Sequence, residues 1–227
     1  MEYLKDNPMK KIGNFKSSTE VKKEMDYYTP EEYHKYSEEA LRMAQEDDNN
    51  RLYDYYVFFS IAFYTGLRKG EINALKWTDI DGDYLTVSRS INQKLKGEDR
   101  ETPPKNKSSY RTLQMPKPLI SILEHQKERY KELDSFSDDF RVCGGSRPLR
   151  NTSIDKVNRN IAESAGLKRI RIHDFRHSHA SVLANNGINI QEIARRLGHS
   201  DVKITWETYA HLYPKEEERA IEILNKL

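Results

Sequence analysis

The 227-residue sequence holds a single cysteine, Cys143, so no disulfide can close within the chain. That excludes a small cross-linked secreted scaffold and suits a reducing compartment. Long apolar runs are missing too. The longest, Tyr55 to Tyr64, is about half of what a membrane-spanning helix needs, and no cleavable leader is legible at the start. The expectation is a cytoplasmic protein with no membrane partner. Neither the Walker glycine spacing nor an H-E-x-x-H pair is present, which removes the two commonest short signatures of nucleotide and zinc chemistry. Excess charge of one sign is also lacking: 38 Lys and Arg face 36 Asp and Glu, for a net charge of +2.

Charge is nevertheless unevenly distributed. From Glu20 to Asp54 there are 11 acidic and 5 basic residues, whereas from Arg141 to Arg176 there are 9 basic and 3 acidic. The chain has an acidic front and a basic later half that holds the candidate site, a pattern that ordinary solvated helix faces account for when charge is taken alone and that becomes a candidate polyanion-facing surface only together with the motifs below.

Hydrophobic periodicity gives the organisation. Residues 1–28 are polar and lysine-rich, broken by Asn7-Pro8 and Gly13-Asn14, and read as an extended arm. Thr29-Pro30-Glu31-Glu32 opens a helix with a cap, a first-turn proline and a capping-box glutamate, and Tyr33, Tyr36, Ala40, Leu41 and Ala44 give it an inward face to about Asp47. Tyr53 to Tyr64 is apolar on nearly all sides and reads as a central buried helix stopped by Gly66. A short helix follows from Leu67 to Leu75. Tyr84 to Ser88 and Tyr110 to Met115 alternate as strands, with a third strand and a basic hairpin tip between them. Further helices are expected over Pro118–Leu133, from a cap at Asn151-Thr152-Ser153 to Gly166, over His173–Asn186, from Asn189 to Leu197, and from a cap at Ser200 through Tyr209. The fold class is mainly α with a small antiparallel β-sheet (α+β). Residues 29–214 form the main domain, and 215–227 form a charged helix with a short apolar stripe that must dock elsewhere to be stable.

Chemistry concentrates between Arg171 and Tyr209. His173 and Arg176 stand three apart on one helix face; His199 and Tyr209 follow. Two hydrogen-bonding or cationic side chains suit an oxyanion, and a tyrosine hydroxyl can attack its central atom, so a phosphodiester is the natural substrate. A phenol with a pKa of about 10 costs roughly 3–4 kcal/mol to ionise near neutral pH, a cost that nearby positive charge lowers. A metal site on His173, His177 and His179 is the rival chemistry, but no cysteine pair accompanies them and the fixed charge of Arg176 opposes a dication. Those two later histidines read as structural, and Asp174 as a cap for its own helix. Tyr213, four residues after Tyr209, would face the same side of a helix and stays open as an alternative nucleophile.

H-D-F-R-H-S-H-A (His173 to Ala180), L-G-H-S (Leu197 to Ser200), a tyrosine ten residues after that histidine, and T-G-L-R-K-G-E-I (Thr65 to Ile72) together resemble the motifs of the tyrosine recombinases, the family of phage and mobile-element integrases and Xer-type resolvases. Four motifs in the right order are far more specific than any one of them.

The resemblance implies a tyrosine-recombinase catalytic-domain fold and a site-specific recombinase that cleaves and rejoins DNA through a 3′-phosphotyrosyl intermediate, without metal or other cofactor. Its catalytic residues would be Arg68, Lys105, His173, Arg176, His199 and Tyr209. Lys105 matches the family's general acid through K-N-K-S-S-Y-R-T, with Lys107, Lys96 and Lys94 as rivals. Without the resemblance, Arg68 would be read as pairing with an acid such as Glu71. Lys69, Lys96, Lys107, Arg111, Arg147, Arg150 and Arg171 are candidate DNA contacts. Expected partners are double-stranded attachment sites, further copies in a tetrameric synapse joined through the C-terminal tail, and accessory bending or directionality factors. The place of action would be the bacterial cytoplasm, on the nucleoid. Type IB topoisomerase-like relaxation and a catalytically idle DNA-binding module are the alternatives. A separate upstream DNA-clamping domain is also expected from the resemblance.

Overall fold

The computed structural model describes residues 26–92, 100–103, 109–213, 221 and 224–226. Eight α-helices surround two small antiparallel sheets within those residues: α1 (Pro30–Gln45), α2 (Leu52–Thr65), α3 (Lys69–Ala74), α4 (Lys117–Lys131), α5 (Asn151–Ser164), α6 (Ile172–Asn185), α7 (Ile190–Leu197) and α8 (Val202–Tyr209). Strands β1 (Ile80–Asp81), β2 (Tyr84–Val87) and β5 (Arg111–Gln114) form one sheet; β3 (Ser90–Asn92) and β4 (Arg100–Thr102) form the other. The mainly helical class with a minor sheet is as expected, although the third strand pairs with a fourth rather than joining β2 and β5.

Local sequence explains the boundaries. Thr29 Oγ1 accepts from the Glu32 amide at 3.2 Å while Glu32 accepts from the Thr29 amide at 2.9 Å, a reciprocal cap that leaves fewer orphan donors at the start of α1. Helix α2 carries ten buried residues of fourteen, so it sits at the centre, and it stops at Gly66, whose φ of +67° suits a residue without a side chain. Asp201, rather than Ser200, caps α8 by accepting from the Lys203 amide at 2.8 Å.

Aromatic packing fixes α1 and α6 against α2. Tyr33 stacks on Phe63 at 3.5 Å, and Phe59 stacks on Phe175 at 5.4 Å. Fully burying each such ring contributes about 1.5–3 kcal/mol. Tyr28, assigned by the sequence to the arm, is fully buried; its amide donates to Ser178 Oγ and its hydroxyl to the Lys168 carbonyl. Residues 1–25 of the arm and most of the tail, 215–227, lie outside the described residues.

A second and much smaller apolar cluster joins Ala180 and Ala184 of α6, Ile193 and Leu197 of α7, and Tyr209 of α8. It is the apolar seat of α8, whose other side leaves Val202, Ile204 and Trp206 exposed. Helix α7 ends at Gly198, in the left-handed region at φ +67°, and the His199 amide closes back onto the Ala194 carbonyl. That turn fixes where His199 leaves the helix. Among the described residues no helix is long and apolar enough to cross a membrane.

Candidate active site

A cavity of about 830 Å³ opens where the N-terminus of α3, the β3–β4 hairpin, the start of α6 and the α7–α8 turn meet. Arg68, Lys69, Arg171, His173 and His199, five of the residues singled out from sequence, line it. So does Arg89, which sequence reading passed over; it pairs with Asp79 at 2.8 Å. Pro103 and Ser109, the described residues on either side of 104–108, also line the cavity. Lys105, Lys107, Lys96 and Lys94 lie outside the described residues.

Arg68 is held from behind. Its amide donates to Glu71 Oε2 at 2.8 Å and its guanidinium to Glu71 Oε1 at 3.0 Å, so the same carboxylate caps α3 and orients the side chain, which stays 39% exposed toward the cavity. Pairing with Glu71 and facing the cavity are therefore compatible. Glu71 itself is buried, which alone would push its pKa up, yet hydrogen bonds and charge from Arg111 with help from Arg68 hold it below the usual carboxylate range.

Arg111 corrects one expectation. Its side chain is buried, donating to both Glu71 oxygens at 3.2 and 2.9 Å and to the carbonyls of Arg196 and Ser109. Its guanidinium serves as an internal strut and is spent on protein acceptors, leaving it off the surface where a DNA contact was expected. The alternation of β5 explains this: Arg111 and Leu113 share the buried face, two residues apart. Arg147 and Arg150 are exposed but outside the cavity lining.

Arg176 lies buried, 3% exposed, on α6. One terminal nitrogen donates to the Gly66 carbonyl at 2.8 Å across the α2 C-terminus, whereas the other is buried with no protein partner. Burial, then the positive charge of Arg68, pulls the Arg176 pKa down to about 9. A buried guanidinium with one unpaired nitrogen beside a second cation is short of negative charge, and an anion would relieve it.

The histidines divide in role. His199 Nδ1 is 2.7 Å from Thr205 Oγ1; with the hydroxyl donating, Nε2–H is left for the cavity. Burial and the charges of Arg176 and Arg68 hold its pKa down at about 4, so it is neutral at pH 7 and suits hydrogen-bond donation. His173 opens on the cavity, and partial desolvation of its ring by the protein around it, then the charge of Arg176, lowers its pKa. His179 is structural, as expected, with Nδ1 on the Phe63 carbonyl at 2.8 Å. Asp174 caps α6 through the Arg171 amide at 2.8 Å, also as expected.

His177, read from the sequence as structural, makes a contact that its spacing did not reveal. Its Nδ1 lies 2.6 Å from the Tyr209 hydroxyl. Tyr209 is 1% exposed, absent from the cavity lining, and pushed up to about 12 by burial against the opposing pull of Arg176. No local spacing signals this contact, because the residues are 32 apart. Tyr213 takes another direction: α8 ends at Tyr209, the 3-10 turn Ala210–Leu212 intervenes, and the Tyr213 hydroxyl donates to the Ile188 carbonyl. The shared helix face expected of the two tyrosines does not form.

Three comparisons bear on this arrangement. Residues 34–216 match the model of the phage integrase family. The chain is 33% identical over its whole length to the ICEBs1 integrase of Bacillus subtilis (strain 168), of which it covers 60%. It is 34% identical over 74% of its length to a tyrosine recombinase XerC-like protein of Caldanaerobacter subterraneus, of which it covers 48%. The chain thus spans about half to three-fifths of these relatives. Its fold is similar to that of the Tn1549 transposon integrase in complex with a circular intermediate DNA, with a TM-score of 0.71 at 18% identity over 91% of this chain and 67% of that one. The catalytic domain of bacteriophage HP1 integrase is similar at a TM-score of 0.56 and 20% identity, over 88% and 95%.

Proposed function

Since the chain belongs to the phage integrase family of tyrosine recombinases, we propose that it is the catalytic part of a site-specific recombinase that cuts and rejoins DNA through a 3′-phosphotyrosyl intermediate. One observation carries the reading. Arg68, His173 and His199, drawn from three separate parts of the chain, line one cavity whose potential is raised further by the buried and half-paired Arg176.

In this reading Arg68 and Arg176 bind the non-bridging oxygens of the scissile phosphate while His173 and His199 donate hydrogen bonds. Tyr209 Oη forms a bond to phosphorus as the bond to the 5′-oxygen breaks. The phenolic proton passes to water with His173 and His199 assisting its movement, and the leaving oxygen takes a proton from Lys105, which recovers it from the incoming 5′-hydroxyl in the second step; the lysine's segment connects two residues of the cavity rim. A 5′-hydroxyl from another strand then attacks the phosphotyrosine, frees the phenol and restores the phosphodiester. Arg171 and Lys69 lie on the same cavity and add phosphate contacts. Guanidinium and ammonium groups supply the positive charge that metal ions supply in many other phosphoryl transfers.

The whole protein would act in the cytoplasm on double-stranded attachment sites, assembling four copies through the C-terminal tail with accessory DNA-bending or directionality factors. Adduct formation on a nicked DNA site tests the chemistry. Covalent protein–DNA product is expected to form in excess chelator, and Tyr209→Phe is expected to abolish it while leaving DNA binding within about twofold. Adduct from Tyr209→Phe, or none from the parent chain in chelator, would overturn the assignment. Supercoil relaxation without junction formation on paired sites would favour topoisomerase-like action.

A further inference from the structure

Resting on the reading of Arg68 as a phosphate-binding residue, we infer that Arg141 and Glu101 are positioning residues for the reaction: their ion pair fixes the β3–β4 hairpin against α3, and through it the turn from which Arg68 reaches the cavity. Helix α3 needs such support. It has six residues, fewer than two turns, and a helix that short does not hold its shape by itself. Arg68 is its N-cap residue, so whatever fixes the first turn of α3 fixes the origin of the Arg68 side chain. Glu71 restrains that turn from within. The β3–β4 hairpin restrains it from outside: β3 crosses Gly70 so closely that a Cβ there would stand 2.6 Å from the Ile91 carbonyl oxygen and from Ser90 Oγ. Ser90, Ile91 and Thr102 of the same hairpin also line the cavity.

The hairpin depends on the body in turn, because two strands of three residues each are marginal alone. Its hold converges on one cross-strand pair. Ile91 stands opposite Glu101 in the register, and residues directly opposite in an antiparallel pair share a face. Ile91 is buried, and Glu101 Oε1 accepts from Arg141 Nη2 at 2.7 Å. The Arg141 side chain is 12% exposed, with Nε and Nη1 buried and no protein partner on either. Loss of Glu101 would therefore leave a desolvated guanidinium uncompensated, which sets this pair apart from an ordinary surface bridge.

Arg141 is itself anchored at the other end of α3. Its neighbours on both sides bond to the segment that leaves the helix: the Val142 amide donates to the Leu75 carbonyl at 2.9 Å, and the Trp77 amide to the Phe140 carbonyl at 3.2 Å. Leu75 is the C-cap of α3. One strip of backbone thus holds the exit of the helix, and the arginine it carries holds the entry through Glu101 and β3. Breaking the ion pair loosens the first turn of α3 without removing any group that touches phosphate.

Glu101→Gln, Arg141→Met and the two together test this in the 227-residue chain. Without DNA, the amides of α3 and β3 should exchange hydrogen at least about threefold faster in Glu101→Gln, with those of α5 unchanged. On a nicked site at saturating protein, adduct formation by Glu101→Gln should slow about three- to tenfold, with DNA affinity within about twofold, as loss of one net hydrogen bond implies. In the double variant Tm should return towards the parent, since no unpaired charge stays buried, while the adduct rate stays low because the tether is still missing. A pair that only stabilised the fold would recover both. The route through Arg68 is tested by a cycle: Arg68→Lys alone slows adduct formation, and adding Glu101→Gln should slow it by less than about twofold more, because the two changes act on one guanidinium.

The inference is overturned if Glu101→Gln forms adduct at the parent's rate, if α3 and β3 exchange as in the parent, if the double variant recovers its adduct rate along with its Tm, or if the effects of Glu101→Gln and Arg68→Lys multiply in full. Should Arg141→Met not fold, Glu101→Gln, a change at an exposed side chain, still decides. Absence of adduct from the parent chain would instead sink the recombinase reading, while the exchange rates of α3 and β3 would still report whether the pair holds the hairpin to the helix.

Discussion

Replacing Glu71 by glutamine removes one negative charge and almost no volume from the place where three arginines approach one another. In the parent, the Glu71 carboxylate accepts from Arg111 at 3.2 and 2.9 Å and from Arg68 at 3.0 Å, with the Arg111 and Glu71 side chains only 3% and 5% exposed. Glu71→Gln leaves the Arg111 charge buried without its counter-charge. Breaking a buried pair from one side costs about 3–5 kcal/mol, and because glutamine retains one acceptor oxygen the low end, about 3 kcal/mol, applies. At about 2–4 °C per kcal/mol for a chain of this size, Tm should fall by about 6–12 °C. Calorimetry measures that directly. The double variant Glu71→Gln with Arg111→Met separates stability from function. Removing both buried charges should recover most of the Tm, whereas Arg68 still lacks its orienting carboxylate and the adduct rate should stay low. A Tm loss under about 2 °C in Glu71→Gln, with adduct formation at the parent's rate, would refute the strut reasoning.

Gly66→Ala should destabilise the chain by about 1–3 kcal/mol and slow adduct formation, because φ is +67° and an added Cβ would stand 2.8 Å from His179 Cδ2, beside the carbonyl that holds Arg176. An unchanged urea midpoint would show that this turn tolerates a side chain. Stability should also fall as pH drops from about 6.5 towards 4. His177, His179 and His199 have folded pKa values depressed by burial to about 4, 3 and 4, so the unfolded chain binds more protons in that window. The contribution is fully present above about pH 6.5 and is lost as pH falls through the folded values. A Tm flat between pH 6.5 and 5 would contradict it.

Elements whose causes are local were legible from the residues. The reciprocal Thr29–Glu32 cap, the all-round apolar α2 with its glycine stop, and the Asn189 start of α7 depend on neighbours within a few positions. The alternation within β2 and within β5 is local in the same way, although their pairing, with Leu85 opposite Leu113, joins distant segments. Motif order carried the family, since Thr65 to Ile72, His173 to Ala180, Leu197 to Ser200 and Tyr209 can be compared without knowing where they meet.

Partner choice was decided by the tertiary structure. Whether Arg111 binds an external phosphate or an internal carboxylate depends on Glu71, 40 residues away, and Arg176 finds its carbonyl 110 residues away at Gly66. The pairing of Tyr209 with His177, and the divergence of Tyr213, depend on how α8 is seated and on the turn that ends it. Spacing along a helix or strand reports which side chains share a face. Which atoms a buried polar group meets follows from how faces of distant segments pack, because each desolvated donor or charge must be satisfied by whatever the fold brings to it.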